Sequence, residues 1–150
     1  MLTRPEIKEK ITKWIVDENW SYNIIDDPNF YFLCNIVDDQ NIVYVGIEKR
    51  IDRITIHYPV TLTQNLHNSY KLAIDKEDFW FDLKVELMLM DVNANAIPNF
   101  EELQTIDVFI MIYFDAFLQD KFIHSVIKII DAMGLCLYMW KKFVESQQPV

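Results

Sequence analysis

Three runs decide the fold: Phe30–Val37 (FYFLCNIV), Ile42–Lys49 (IVYVGIEK) and Ile51–Tyr58 (IDRITIHY). Each is rich in β-branched and aromatic residues, and the polar stretches Asp38-Asp39-Gln40-Asn41 and Lys49 to Asp52 are of hairpin length. Pairing Val37 with Ile42, and Glu48 with Arg53, sorts the side chains onto two faces. One face reads Phe32, Cys34, Ile36; Val43, Val45, Ile47; Ile54, Ile56, Tyr58, all apolar or aromatic. The other reads Tyr31, Leu33, Asn35; Tyr44, Gly46, Glu48; Arg53, Thr55, His57, and is mixed. Slipping one strand by one residue destroys this segregation, because side chains alternate with a period of two. The runs therefore form an antiparallel meander with one covered face.

Upstream, Thr3-Arg4-Pro5-Glu6 has the form of a capping box. Pro5 suits a first helical turn, where its missing N–H would have had no partner. Ile7, Ile11, Trp14 and Ile15 follow at helical spacing and predict an amphipathic helix ending near Glu18 to Trp20. Ser21 to Asn29 reads as a loop, with Asp27-Pro28-Asn29 as its turn.

Downstream, Pro59 closes the third strand, and Leu62, Leu66, Tyr70 and Ala73 predict a short helix over Thr63 to Leu72. Phe79, Phe81, Leu83, Val85, Leu87 and Leu89 alternate as a strand would. The composition, length and acidic start of Lys76 to Met90 nevertheless resolve it as a helix capped by Asp75. The Asn-rich stretch Val92 to Phe100 has room for a strand. Thr105 to Phe114 alternates strongly, and its second face is also mostly apolar, as in a central or interface strand. Asp115 to Asp120 turns the chain. In Lys121 to Val144, residues Ile123, Val126, Ile130, Met133, Leu137, Trp140 and Val144 fall at spacings of three and four, flanked by Phe122, Ile129, Cys136 and Phe143. A strict heptad can mark a coiled-coil seam. So wide a stripe instead predicts a long helix covering a sheet, with Gly134 at a close crossing. The expected architecture is a single α+β domain over residues 1–150, in the order α-β-β-β-α-(α)-β-β-α.

Composition removes several function classes. The chain has 150 residues, 51% of them hydrophobic, which excludes an acidic disordered tail. Its 23 acids against 14 bases give a net charge of −9, which argues against nucleic-acid binding. Two glycines leave no Gly-rich phosphate cradle. Cys34 and Cys136 lie in apolar runs, form no CxxC pair, and read as reduced core residues rather than zinc ligands. The N-terminus lacks an apolar signal region, and the longest uncharged run in the last helix, Ala132 to Trp140, is far short of a membrane span of about 20 residues. The expectation is a soluble, cytoplasmic protein without membrane association.

No catalytic fingerprint, metal-ligand spacing or cofactor motif is present, so the expected protein is not an enzyme and holds no cofactor. His57, His67 and His124 share no short spacing. Cys34 and His57 point to opposite sheet faces, which rules out a nucleophile–base pair. Asp26-Asp27 and Asp38-Asp39 sit in turns, where Asp bonds local backbone. The mixed sheet face remains. Tyr31, Asn35, Tyr44 and His57 combine ring area with polar tips and are the candidate partner-binding residues. Trp80 is a further interface candidate, since Phe79-Trp80-Phe81 exceeds what one helix face can bury.

The chain resembles the type III secretion chaperone-like fold group, and within it an uncharacterised, mostly archaeal family. The carrying features are the capped helix Thr3 to Glu18, the meander Phe30 to Tyr58, the Phe79-Trp80-Phe81-Asp82-Leu83 helix, the strand Thr105 to Phe114 and the closing helix Phe122 to Val144. The likeness is architectural and spans nearly the whole chain, so no functional residue is carried over. It implies a homodimer that binds protein partner segments in extended form. A small-molecule or enzyme pocket between helix and sheet is the competing expectation. A third is a subunit of a larger assembly that covers Thr105 to Phe114.

Overall fold

The structure is a computed structural model describing residues 1–147. Its elements in chain order are α1 (Arg4–Asp17), β1 (Ser21–Ile25), β2 (Phe30–Asp38), β3 (Asn41–Glu48), β4 (Arg53–Thr61), α2 (Gln64–Lys71), α3 (Lys76–Leu89), β5 (Asn93–Ile97), β6 (Thr105–Tyr113) and α4 (Gln119–Ser146). The six strands form an antiparallel sheet in the order β1-β2-β3-β4-β6-β5, with helices packed on one face. This is the α+β class read from the sequence, with one more strand. Ser21 to Ile25, read as loop, is an edge strand paired to β2 from Ser21↔Val37 to Ile25↔Leu33. Ser21-Tyr22-Asn23-Ile24-Ile25 does not alternate apolar with polar, so only the pairing defines this strand.

The residues fall into two compact units, the first comprising Met1–Tyr58 and Ile110–Ile130. Its meander keeps the expected register. Val37 pairs with Ile42, and Tyr44↔His57 through Ile47↔Ile54 continue the Glu48/Arg53 alignment. On the apolar face, Phe32, Cys34, Ile36, Val43, Val45, Ile47, Ile54 and Ile56 are all buried, while Tyr58 is half-buried. Helix α1 packs on β1, β2 and β3 and buries Ile7, Ile11, Trp14 and Ile15, the four positions its period marks. The Trp14 ring lies 5.0 Å from Phe117 and 6.0 Å from Phe122. Arg4 ties the start of α1 to the β3–β4 turn, donating to the carbonyls of Glu48 (2.8 Å) and Ile51 (3.0 Å) and to the Asp52 carboxylate (2.9 Å).

The capping box differs in one detail. The Thr3 hydroxyl accepts from the Glu6 N–H (3.4 Å), but the Glu6 carboxylate returns to that hydroxyl (3.0 Å) rather than to the Thr3 backbone. Helix α1 stops at Asp17 because Asn19 turns left-handed (φ 60). The N–H groups of Asn19 and Trp20 then bond the carbonyls of Val16 and Ile15, a Schellman closure. Strand β6 also ends one residue early: Phe114 opens a 3₁₀ turn to Ala116, and its N–H bonds the Asp52 carbonyl (2.9 Å).

The second unit comprises Pro59–Phe109 and the chain from Asp131 onward. Here Tyr70 is fully buried at the hub of an aromatic cluster, its ring 6.1 Å from Phe79, 6.0 Å from Trp140 and 5.9 Å from Phe143. Its hydroxyl donates to the Phe100 carbonyl. Lys76 to Leu89 is helical, and Phe79, Leu83 and Leu87 are buried at spacings of four. The alternating residues Phe81, Val85 and Leu89 are exposed. Asp75 takes the N-cap position in left-handed conformation (φ 61), and its side chain makes no cap hydrogen bond. Asp91 (φ 60) closes α3 as Asn19 closes α1, with Val92 N–H on the Leu87 carbonyl. Strand β5 pairs with β6 from Asn93↔Phe109 to Ile97↔Thr105.

Helix α4 is long and apolar enough to cross a membrane by length and composition. Its fully buried positions are Phe122, Val126, Ile129, Ala132, Cys136, Trp140 and Val144. Ile123, Ile130, Met133 and Leu137, assigned to the stripe centre from sequence, are half-buried at its margin. The buried set recurs about every 3.7 residues, nearer the 3.6 of a regular α-helix than the 3.5 of a coiled-coil seam. Gly134 is exposed, and a Cβ built there meets nothing within 4 Å. The close crossing expected at this glycine is not formed among the described residues.

Candidate functional site

The face of the meander turned away from α1 carries the candidate residues. Because β1 joins the sheet, one row runs across four strands: Asn23 pairs with Asn35, Asn35 with Tyr44, and Tyr44 with His57. Asn35 accepts from the Asn23 side-chain amide (3.1 Å) and from its backbone N–H (3.2 Å), which fixes the orientation of its carboxamide. The Tyr44 and His57 rings lie 5.5 Å apart, tilted by 32°. Asn35, Tyr44 and His57 are each half-buried. The His57 ring is therefore packed against its neighbour on β3. The row presents ring area and hydrogen-bonding tips together, which is the chemistry of protein recognition surfaces.

Tyr31 does not join this row. The sequence register places it opposite Glu48, but Phe30 takes that position through a β-bulge between Phe30 and Phe32. Tyr31 has no pairing partner on β3 and is 42% exposed. The cause is Gly46. The Phe30 ring lies so close that a Cβ at Gly46 would meet it at 2.6 Å, so ring and glycine share one space. Phe30 thereby covers the bare strand backbone, and Leu33 beside it is buried on the mixed face.

Beyond the glycine sits a charged cluster. Arg53 forks onto both carboxylate oxygens of Glu48, and the Thr55 hydroxyl donates to the same carboxylate (3.2 Å). Hydrogen bonds to Glu48 first, and then to Tyr113, hold the Arg53 pKa above its ordinary value. An open cleft of about 610 Å³ adjoins it, between Pro28–Phe30 and Glu48–Ile51.

Sequence reasoning missed Asn23, Phe30 and Tyr113. Asn23 lay in the presumed loop. Phe30 had a signal, because a glycine inside a β-branched run calls for a ring to cover it. Tyr113 comes from a strand distant in sequence, which no local pattern announces.

Elsewhere the chemistry is quiet. Cys34 and Cys136 are free and buried, and burial pushes each thiol up to about 12. Cys34 lies on the helix-covered side, away from His57. His67 is half-buried on α2 and His124 is exposed on α4. The Asp27 carboxylate accepts from the Asn29 N–H (2.9 Å), a turn bond of the kind expected there. No group of three His, Cys, Asp or Glu among the described residues could hold a metal ion.

Residues 7–139 match the family described as "Uncharacterized conserved protein (DUF2299)". The fold is similar to that in the crystal structure of an uncharacterized protein from Methanothermobacter thermautotrophicus, with a TM-score of 0.78 and 17% identity. That match covers 91% of this chain and 98% of the other. At such identity the likeness shows the fold alone. No curated protein matches the chain.

Proposed function

The chain belongs to the uncharacterized conserved family DUF2299, and on that premise we propose that it is a non-enzymatic binding protein that holds an extended segment of another protein against the outer face of its meander. The observation that carries this reading is the row Asn23–Asn35–Tyr44–His57, packed among itself and turned away from α1. Its tips can meet the alternating side chains of an added extended segment. The net charge of −9 favours basic or apolar segments over acidic ones. The likeness in element order to secretion chaperones adds a homodimer to the proposal, working in the cytoplasm without a cofactor, nucleic acid or membrane.

Two measurements test it. Native mass spectrometry of protein purified from its own source is expected to give twice the 18.0 kDa chain mass, with a polypeptide partner in part of the population. Loss of that partner from the Tyr44→Ala and His57→Ala variants, each as stable as wild type, supports the face assignment. Undiminished binding by both variants overturns it. A bound small molecule in place of a polypeptide would favour an enzyme or ligand-binding protein instead.

A further inference from the structure

The second unit carries a different surface. Between the start of α3 and the end of α4 runs a groove of about 540 Å³. Its floor is apolar: Phe79 and Phe143 stack at 4.6 Å, with Met139 alongside. Its α3 wall is acidic, with Asp75, Asp78 and Asp82 all lining the groove. Asp78 and Asp82, four apart, share one face of α3 that continues through Val85 and Leu89, and Asp75 stands at its N-cap. Leu89 is 77% exposed, so the stripe runs from acidic to apolar without a cover. The opposite wall offers one ammonium, Lys142, which lies over the Tyr138 ring at 5.6 Å. None of the three aspartates has a cation within ion-pair distance among the described residues.

We propose that this groove docks a basic amphipathic helix of a partner protein, with an apolar side chain seated on Phe79, Met139 and Phe143 and its Lys or Arg residues on Asp75, Asp78 and Asp82. Walls drawn from two helices over an apolar floor suit a helix rather than a strand. Charge decides the identity of that helix. Three carboxylates against one ammonium attract a cationic segment, while a second copy in a two-fold contact would set acidic walls against each other. The exposed ridge of α4 leads to the same place. Asp131, Gly134 and Tyr138 lie along it at spacings of three and four, and the open space at Gly134 admits the close approach of another backbone. This surface is separate from the sheet row of the proposed function.

The probe is a fluorescein-labelled, amidated helical peptide of about 18 residues, with Leu on one face and Lys on the other. It is titrated by fluorescence polarisation into the full-length protein. Binding is expected to weaken at high salt. The Asp78→Asn/Asp82→Asn variant is expected to bind about tenfold more weakly, in line with loss of two complementary charges. Glu9→Gln/Glu18→Gln, which removes equal charge from exposed sites on α1 and its C-cap, should leave affinity unchanged. A peptide with Glu in place of Lys should not bind. The proposal is overturned if the labelled peptide fails to bind wild type, or if the groove pair has no effect. Equal weakening by both charge-removing pairs would also overturn it, because attraction would then belong to the whole acidic surface. Dissociation of a homodimer on peptide binding would make a second copy the natural occupant and likewise overturn it.

Discussion

Four non-glycine residues among those described have positive φ, and all are Asn or Asp: Asn19, Asp39, Asp75 and Asp91. With two glycines in the chain, the left-handed positions fall to the residues that tolerate them next best. At Asn19 the conformation closes α1, so Asn19→Gly should stabilise the protein by about 1 kcal/mol, while a β-branched residue there should cost about 1–2 kcal/mol. Urea denaturation midpoints measure both. Gly46 has the opposite constraint. Its backbone is ordinary, but its missing Cβ leaves room for the Phe30 ring at 2.6 Å. Gly46→Ala should cost about 1–3 kcal/mol by overpacking. Combining it with Phe30→Leu should cost less than the two single changes added, since both act on one space. An additive result would mean that the ring and the glycine are independent.

At the scale of the element, what the sequence could announce was periodicity. The meander register was legible because a slip would have exchanged an apolar face for a mixed one, and the buried set from Phe32 to Ile56 follows it. Helix α3 was legible only through composition, since Phe79 to Leu89 fits both periods. Its buried residues prove to be the helical subset. Three things were not legible. Strand β1 is defined by a partner rather than by its own pattern. The bulge that removes Tyr31 from the row accompanies the packing of Phe30 over Gly46, a contact across strands. The α4 stripe is rotated from the expected one because its buried positions recur about every 3.7 residues, whereas alternating threes and fours average 3.5. The candidate row was thus three-quarters visible: Asn35, Tyr44 and His57 stand where the alternation put them, and Asn23 replaces Tyr31. Helix α4 also supplies a prediction. Gly134 is exposed and a methyl there meets nothing, so Gly134→Ala should raise stability by about 1 kcal/mol, read as a higher urea midpoint at constant slope.

For the whole molecule, burial of neutral acids sets the alkaline limit. Cys34 and Cys136 are raised from 9.0 to about 12, and Tyr70 from 10.0 to about 12, each by desolvation. In the unfolded chain these groups ionise at their ordinary values, while in the native protein they stay protonated. Stability is therefore fully present below pH 9 and is lost as pH rises from 9 towards 12. Urea midpoints should fall across that window, and Cys34→Ala/Cys136→Ala should flatten the fall. A fall of the same steepness in the double variant would assign the alkaline limit to other groups.

The indole rings have a use beyond packing. Trp14 and Trp20 belong to the first compact unit, Trp80 and Trp140 to the second, and Trp14 and Trp140 are the buried member of each pair. Replacing one pair with Phe silences one unit's emission and leaves the other's intact. Each unit's melting can then be followed by the red shift of its own fluorophore as it meets water, and coincident or separate transitions report directly on cooperativity. The protein comes with its own optical labels, one set for each unit.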